Sequence, residues 1–216
     1  VALGAAGSPL TQDNLNIFFY GDSITWLNKY EPLIDAAIKS GPGTSKLQGV
    51  QLVNQGENGG TVLDIVNGTS PWGRLDFDWP DHGLNFSGSI HGLSCYGQPD
   101  IAGVMIGIND VWQGQNFPDP DSGVSSPGRG SNVSTFTRVL RDQVLKPAIA
   151  VGIRPYLVSV SVIGEKRSGE NPTDKELDAF AAAQEQVATE LKIPFVNVRK
   201  LYQEYDARYN CLELKE

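Results

Sequence analysis

The sequence has little cysteine and no long hydrophobic run. Cys95 and Cys211 are the only two cysteines among 216 residues, which excludes a disulfide framework and a CxxC metal or redox motif. The two thiols either pair in an oxidising compartment or remain free, and the sequence leaves both readings open. No uncharged apolar run approaches the roughly 18–20 residues that cross a bilayer, so no membrane span is expected.

Basic residues are also scarce. Lys and Arg together number 17 against 25 Asp and Glu, which gives a formal net charge of −8. An acidic chain without a basic run has no electrostatic attraction for a phosphate backbone or an anionic lipid surface. Nucleic acid and anionic membranes are therefore excluded as expected partners.

The rest of the composition is typical of a globular domain. The chain is 40% hydrophobic and 19% charged, which argues against wholesale disorder. Its length suits one substantial α/β domain, and no internal repeat or long low-complexity linker divides it. We therefore predict a single domain over residues 1–216, with an irregular insert rich in Gly, Ser and aromatic residues at about 68–98.

Five short apolar runs predict buried strands, at residues 15–20, 50–53, 101–106, 154–162 and 193–198. Helical patterns separate them, at residues 26–40, from Thr61, at about 131–151, at 173–192 and from Arg199 onward. Strands that alternate with helices need crossover connections. The sequence thus predicts a three-layer α/β/α sandwich with a mainly parallel, five-stranded, flavodoxin-like sheet.

Three segments that follow the first three strands carry candidate chemistry. They read GDSIT from Gly21, NQGENGGT from Asn54 and GIND from Gly107. Ligands of such sheets bind beyond the carboxyl ends of the strands. A hydroxyl, a Gly-rich loop and a side-chain amide at one sheet edge match acyl transfer. Ser23 would be the nucleophile, and backbone N–H groups with the Asn109 amide would stabilise the oxyanion.

Each segment taken alone has a structural explanation. Gly-Asp-Ser is common in turns, a Gly-rich loop can simply be tight, and Asn109 can cap the next helix. Rival motifs are weaker still, because the chain has no dinucleotide or P-loop glycine pattern and no complete GxSxG. The Asp-rich stretch at 119–123 lacks the oxygen-ligand spacing of a calcium loop, so no metal and no organic cofactor is expected.

The strings FFYGDSITW, NQGENGGTV and GIND resemble, in this order, the first three sequence blocks of the SGNH (GDSL-type) hydrolases. The resemblance implies an esterase of the same three-layer fold. It makes Ser23 the nucleophile and a backbone oxyanion donor, the N–H of Gly59 the second donor and the Asn109 amide the third. Asp22 would brace the nucleophile loop, and Asp110 the Asn loop.

The sequence departs from that family at the general base, a His in a C-terminal D-x-x-H segment. Its nearest spacing match, Asp206-Ala-Arg-Tyr209, ends in a tyrosine, whose usual pKa near 10 makes it a poor base. The favoured expectation is that the D-x-x-H segment lies beyond Glu216 in the full gene product. Alternatively, His82 or His91 serves as the base, or the chain is an inactive carbohydrate- or ester-binding module.

Substrate and localisation follow from weaker signals. Small acyl esters, including acetylated carbohydrate, are the expected substrates because no long apolar segment predicts a lipid-binding lid. Trp112, three residues past Asn109, is the candidate pocket wall.

The opening VALGAAG lacks Met, and sequons occur at Asn67, Asn85 and Asn132, which together favour secretion. The sequence does not indicate an oligomeric state.

Overall fold

The computed structural model of the protein describes residues 15–40, 49–67, 96–114, 130–162 and 173–209. Most of the predicted insert, both histidines and both cysteines lie outside these ranges. In chain order the elements are β1 (Leu15–Gly21), α1 (Ser23–Trp26), α2 (Glu31–Ser40), β2 (Val50–Gly56), α3 (Val62–Asn67), β3 (Ile101–Met105), α4 (Ile108–Gly114), α5 (Val133–Val139), a π-helical segment (Leu140–Leu145), α6 (Lys146–Ala150), β4 (Arg154–Val158), α7 (Asp174–Leu191), β5 (Phe195–Val196) and α8 (Val198–Tyr209).

The five strands form one sheet in the order β2-β1-β3-β4-β5, and every pair is parallel. This confirms the predicted sheet and its flavodoxin-like order. At the carboxyl end of β1, Gly21 is in register with Gly56 of β2 and with Met105 of β3. Because the three strands end level, the segments that follow them start side by side.

Side chains of β1 alternate between the two faces of the sheet. Phe18 and Tyr20 belong to the larger core cluster, which also contains Phe136 of α5. Ile17 and Phe19 belong to a second cluster on the opposite face, covered partly by α2. Helices therefore cover both faces, which confirms the three-layer sandwich.

The first predicted helix is divided in the structure. Residues 26–40 are not one helix, because α1 ends at Trp26 and α2 begins at Glu31. Asn28 lies between them in the left-handed region, with φ of 51°. Pro32 explains the restart, since its missing N–H is tolerated only in the first turn of a helix.

The fourth predicted strand is shorter in the structure. It ends at Val158 rather than at residue 162. The neighbouring strand β5 pairs with β4 at only two positions, and the last of these joins Val158 to Val196. The apolar residues that follow, such as Val160, are buried without strand pairing.

Candidate active site

Ser23 is the first residue of α1 and follows the carboxyl end of β1 after one residue. Asp22 is the N-cap of this short helix, and its Oδ1 accepts a hydrogen bond from the Ile24 N–H at 2.9 Å. The backbone oxygen of Asp22 accepts from the Trp26 N–H, also at 2.9 Å. The cap fixes the turn that presents Ser23, whose side chain is half-buried.

The Gly-rich loop after β2 binds most of its own backbone donors. The Gly56 N–H donates to Asn54 Oδ1 at 2.8 Å. The Glu57 N–H donates to the Gly21 oxygen at 2.9 Å, which ties this loop to the nucleophile turn. The Gly60 N–H then donates back to the Glu57 oxygen at 3.0 Å.

The backbone donors at the start of α3 also have partners, which leaves the N–H groups of exposed Asn58 and half-buried Gly59. The Thr61 N–H donates to Asp64 Oδ2 at 2.9 Å, and the Val62 N–H donates to Asp110 Oδ2 at 3.0 Å. No described residue accepts a hydrogen bond from the Gly59 N–H. Gly59 has φ of 73°, a conformation that favours glycine. Its N–H is therefore a half-exposed backbone donor without a partner in the described part of the chain.

Two amide side chains of α4 hold this loop from the β3 side. Asn109 Nδ2 donates to the Gly60 oxygen at 3.0 Å, and Gln113 Nε2 donates to the Gly59 oxygen at 2.9 Å. The two residues are four apart and thus lie on one helix face. This contact uses one of the two hydrogens on Asn109 Nδ2 and leaves the second available for another acceptor.

Asp110 is fully buried and connects three elements. Its Oδ1 accepts from Ser131 Oγ at 2.5 Å, and its Oδ2 accepts from the Val62 N–H at the start of α3. Burial raises the pKa of Asp110 to about 7, against the lowering effect of these hydrogen bonds, and nearby Asp64 adds to the rise. The carboxyl thus joins the Asn segment to α3 and to the residues before α5.

Asp22 is almost as deeply buried as Asp110. Burial raises the pKa of Asp22 to about 7, the hydrogen bond from the Ile24 N–H opposes this, and the charge of Asp110 adds to it. Two buried carboxyls therefore lie near one another at the carboxyl edge of the sheet. Perturbed carboxyls of this kind occur preferentially at functional sites.

Sequence reasoning missed a buried pair behind the nucleophile turn. Asn54 Nδ2 donates to the Thr25 oxygen at 2.6 Å and to Glu31 Oε1 at 3.0 Å. Glu31 is 4% exposed, its Oε2 has no hydrogen-bond partner in the part of the chain that the structure describes, and burial raises its pKa. An acidic residue in the first turn of α2 is ordinary, so no sequence signal distinguishes Glu31.

Glycine also sets the spacing of this corner. A Cβ on Gly56 would lie 2.2 Å from the backbone nitrogen of Trp26, so only glycine lets α1 rest on the end of β2. Together with Asn54, this contact fixes the distance between the nucleophile helix and the Gly-rich loop.

The segments that carry Ser23, Gly59 and Asn109 thus meet at one edge of the sheet. Trp112 lies on α4 and is half-buried. His82 and His91 lie outside the described residues, which contain no histidine, so no general base is placed by this geometry.

The described residues form neither a metal-binding cluster nor a membrane-spanning helix. Within them, no group of three or more His, Cys, Asp or Glu side chains is arranged to hold a metal ion. None of the described helices combines the length and the apolar character needed to cross a bilayer.

The family follows from the match of nearly the whole chain. Residues 19–213 match the GDSL-like Lipase/Acylhydrolase family. The chain belongs to this family. Membership confirms the resemblance found in the three sequence blocks and supports an ester-hydrolysing enzyme in general terms. A comparison with curated proteins finds no match.

Solved structures show that this GDSL-family chain shares its fold with known esterases. An acetyl xylan esterase, AlAXEase, is 20% identical over 90% of this chain and 82% of its own, with a TM-score of 0.63. The acetylxylan esterase Axe2 of Geobacillus stearothermophilus is 21% identical over 90% of this chain and 81% of its own, with a TM-score of 0.59. LAE5, an alpha/beta hydrolase enzyme from the metagenome of Lake Arreo, Spain, is 22% identical over 99% of this chain and 87% of its own, with a TM-score of 0.65.

Proposed function

We propose that this chain is a serine ester hydrolase of the carboxylesterase or carbohydrate acetylesterase type. The observation that carries the proposal is the hydrogen-bond account of the site. Between residues 56 and 62, only the N–H groups of Asn58 and Gly59 have no partner among the described residues, and of these two residues Asn58 is exposed whereas Gly59 is half-buried. A free, well-fixed N–H at a sheet edge suits a developing oxyanion.

In the proposed mechanism, Ser23 Oγ attacks the acyl carbon and the carbonyl electron pair moves onto oxygen. The N–H of Ser23, the N–H of Gly59 and the second amide hydrogen of Asn109 would stabilise that oxyanion. A base takes the serine proton and passes it to the leaving alcohol, which leaves an acyl-enzyme. Water then attacks the acyl-enzyme with the help of the same base, which releases the acid and regenerates the Ser23 hydroxyl. The loss of one such donor typically lowers kcat about 10²–10³-fold.

Asp22 and Asp110 support this site without touching the reacting atoms. Asp22 would hold the nucleophile turn through Ile24, and Asp110 would hold the Asn segment against α3 through Val62. Both carboxyls are buried, so neither is placed to take the serine proton directly.

The base is the part of the proposal that rests on relatives. Structures of Axe2 described as catalytic mutants replace a serine, an aspartate and a histidine three positions after that aspartate. An imidazole in the same role here would come from His82, from His91 or from a segment outside the 216 residues. Variants His82→Asn and His91→Asn distinguish these sources, because only loss of the true base should abolish activity.

Small acyl esters are the proposed substrates, with acetylated carbohydrate foremost. AlAXEase and Axe2 are named as acetyl xylan esterases, and they share the fold of this chain. Trp112, which follows Asn109 on α4, would form a pocket wall. Action on an extracellular polysaccharide would agree with the predicted secretion.

The test is hydrolysis of p-nitrophenyl acetate and butyrate and of acetylated xylooligosaccharide, together with fluorophosphonate labelling. Ser23→Ala should lower kcat at least about 10³-fold and remove the label. Ser40→Ala is the matched control, because the Ser40 hydroxyl only caps a carbonyl of α2. Absence of the label from both the 216-residue chain and a chain extended to the natural stop codon, or activity retained by Ser23→Ala in the active chain, would contradict the proposal.

The second candidate is a binding module of the same fold, favoured by the lack of a D-x-x-H segment within the 216 residues. It predicts that acetylated xylooligosaccharide binds without being cleaved. Calorimetry would then give the same affinity for the wild-type chain and for Ser23→Ala.

A further inference from the structure

Helix α4 contacts the Gly-rich loop through two residues, of which only one belongs to the recognised blocks. Asn109 donates to the Gly60 oxygen, and Gln113 donates to the Gly59 oxygen at 2.9 Å. Gln113 lies one turn further along α4, outside the GIND segment. Its contact is with Gly59, whose N–H is the half-buried one of the two loop donors that have no partner among the described residues.

The Gln113 contact fixes one peptide unit from both sides. In the peptide that joins Gly59 to Gly60, the carbonyl accepts from Gln113 and the N–H donates to the Glu57 oxygen at 3.0 Å. The orientation of the Gly59 N–H relative to this fixed unit then depends only on the torsions of Gly59. Glycine adopts positive and negative φ with similar ease, so the value of 73° needs restraint from outside the residue.

We propose that Gln113 is a positioning residue that holds the Gly59 N–H in place for the oxyanion. The inference rests on the proposed function for the role of Gly59 itself. Gln113 acts through the loop, because its amide hydrogen is used on the Gly59 carbonyl. A donor stabilises a transition state only when its direction is set in advance. Loss of Gln113 should therefore lower kcat more than it raises KM.

The buried amide of Gln113 allows its hydrogen bond to be tested separately from its packing. The oxygen of the same amide, Oε1, is buried and has no hydrogen-bond partner among the described residues. A buried amide oxygen without a donor is unfavourable, and an apolar side chain of equal length would avoid that cost. Replacement by methionine should thus leave stability nearly unchanged while it removes the hydrogen bond to the loop.

The first test compares Gln113→Met with the native chain in p-nitrophenyl acetate hydrolysis. We expect kcat to fall about 10–100-fold, with KM within about twofold and the thermal midpoint nearly unchanged. Gln203→Met is the matched control, since Gln203 is exposed on α8 and donates only to Asp178. Unchanged kcat, or a loss of activity explained by unfolding, would overturn the proposal.

A second variant tests whether the donated hydrogen is what matters. In Gln113→Glu the introduced carboxyl can donate to the Gly59 oxygen when protonated and repels it when ionised. The ratio of its kcat to that of the native chain should be highest at acidic pH and fall as the carboxyl ionises. A role in packing alone predicts a flat ratio.

A third readout does not depend on catalysis. The Gly60 N–H is protected by Glu57, and loosening of the loop in Gln113→Met should speed its exchange with solvent about tenfold or more, as followed by NMR. Failure of the proposed function would appear as absence of label and activity from both the 216-residue chain and a chain extended to the natural stop codon. Failure of the present proposal would appear as unchanged Gly60 exchange, whether or not the chain is active.

Discussion

Two buried polar clusters lie at the carboxyl edge of the same sheet, and they are built in opposite ways. Beyond β1, β2 and β3, Asp22 and Asp110 are buried with pKa values raised to about 7, and the hydrogen bonds that they accept come from uncharged groups. Beyond β4 and β5, the buried charge is Arg199, and it is paired with carboxylates.

Arg199 is 1% exposed and satisfied on several sides. Its Nε donates to Asp178 at 2.7 Å, an Nη donates to Asp174 at 2.9 Å, and the other Nη donates to the Ser161 oxygen at 3.2 Å. Its backbone N–H donates to Ser159 Oγ at 3.0 Å. The planar guanidinium therefore joins the start of α8 to the end of β4 and the start of α7.

The contrast separates scaffold from site. A buried charge that is fully paired stabilises one arrangement of the chain, whereas buried carboxyls without a cation cost stability and occur where function compensates for it. If this interpretation is right, changes at the β1–β3 edge should mainly alter turnover, and changes at the β4–β5 edge should mainly alter stability.

After Ser23→Ala, Asn109→Ala should give the largest effect. The change removes one proposed oxyanion donor together with the hydrogen bond to the Gly60 oxygen. We expect kcat for p-nitrophenyl acetate to fall about 10²–10³-fold, with a smaller change in KM. Asn109→Asp, which keeps the size but replaces the donor by an acceptor, should fall at least as far. A kcat within threefold of the native value would remove Asn109 from the mechanism.

Arg199→Leu tests the opposite edge. It leaves the Ser161 oxygen without its donor and Asp174 and Asp178 without their cation. We expect the free energy of unfolding in urea to drop by about 1–3 kcal/mol, because the oxygen of buried Ser161 loses its donor, whereas the more exposed carboxylates of Asp174 and Asp178 can be solvated by water. The kcat of the folded protein at low temperature should stay within about twofold. A fall in kcat comparable to that of Asn109→Ala would erase the distinction between the two edges.

A pair of glycine substitutions sharpens the comparison further. Gly59 and Gly152 both have positive φ, at 73° and 89°, and a Cβ on Gly152 would meet nothing within 4 Å. An alanine in this conformation costs about 1–2 kcal/mol. Gly59→Ala and Gly152→Ala should therefore lose similar stability by thermal unfolding, but only Gly59→Ala should lower kcat. Because alanine keeps the N–H but disfavours positive φ, equal kcat values in the two variants would contradict the need for this conformation of Gly59 in directing its N–H.

The strands and the three segments were predictable because their signals are local. Parallel strands are buried on both faces and read as short apolar runs, as β1 and β3 do. The segments that carry Ser23, Gly59 and Asn109 follow those runs directly, and the order of the strands brings them together. The place of these residues at one edge of the sheet could thus be derived from the sequence.

Other features depend on contacts that a sequence does not display. The helix predicted over residues 131–151 contains a π-helical segment, Leu140–Leu145, just before Pro147, whose missing N–H interrupts α-helical bonding. Gln113 and Glu31 are single polar residues on helices without a motif around them. Their importance arises from the loop and the turn against which they pack, so it became visible only in three dimensions.

The smallest expected effect is a change in pH dependence. The pKa of Asp22 is raised to about 7 in the folded chain, so the folded state binds its proton more tightly than the unfolded state, where a carboxyl titrates near 4. This contribution to stability is complete below about pH 4 and is lost as the pH rises toward 7. Asp22→Asn keeps an oxygen that can accept from the Ile24 N–H but cannot ionise. In this variant the free energy of unfolding, measured in urea between pH 4 and 8, should fall less steeply with rising pH than in the native chain. The difference between the two slopes should correspond to at most about one bound proton.

Asp110→Asn is the informative partner of that experiment. It also removes an ionisable group with a raised pKa, but an amide oxygen can replace only one of the two acceptors that bind Ser131 and Val62. The variant should therefore show a shallower pH dependence and, unlike Asp22→Asn, a lower stability at pH 4. If the free energy of unfolding of both variants keeps the native dependence on pH, the pKa values of Asp22 and Asp110 are not raised. The contrast between this edge of the sheet and the paired cluster around Arg199 would then be wrong.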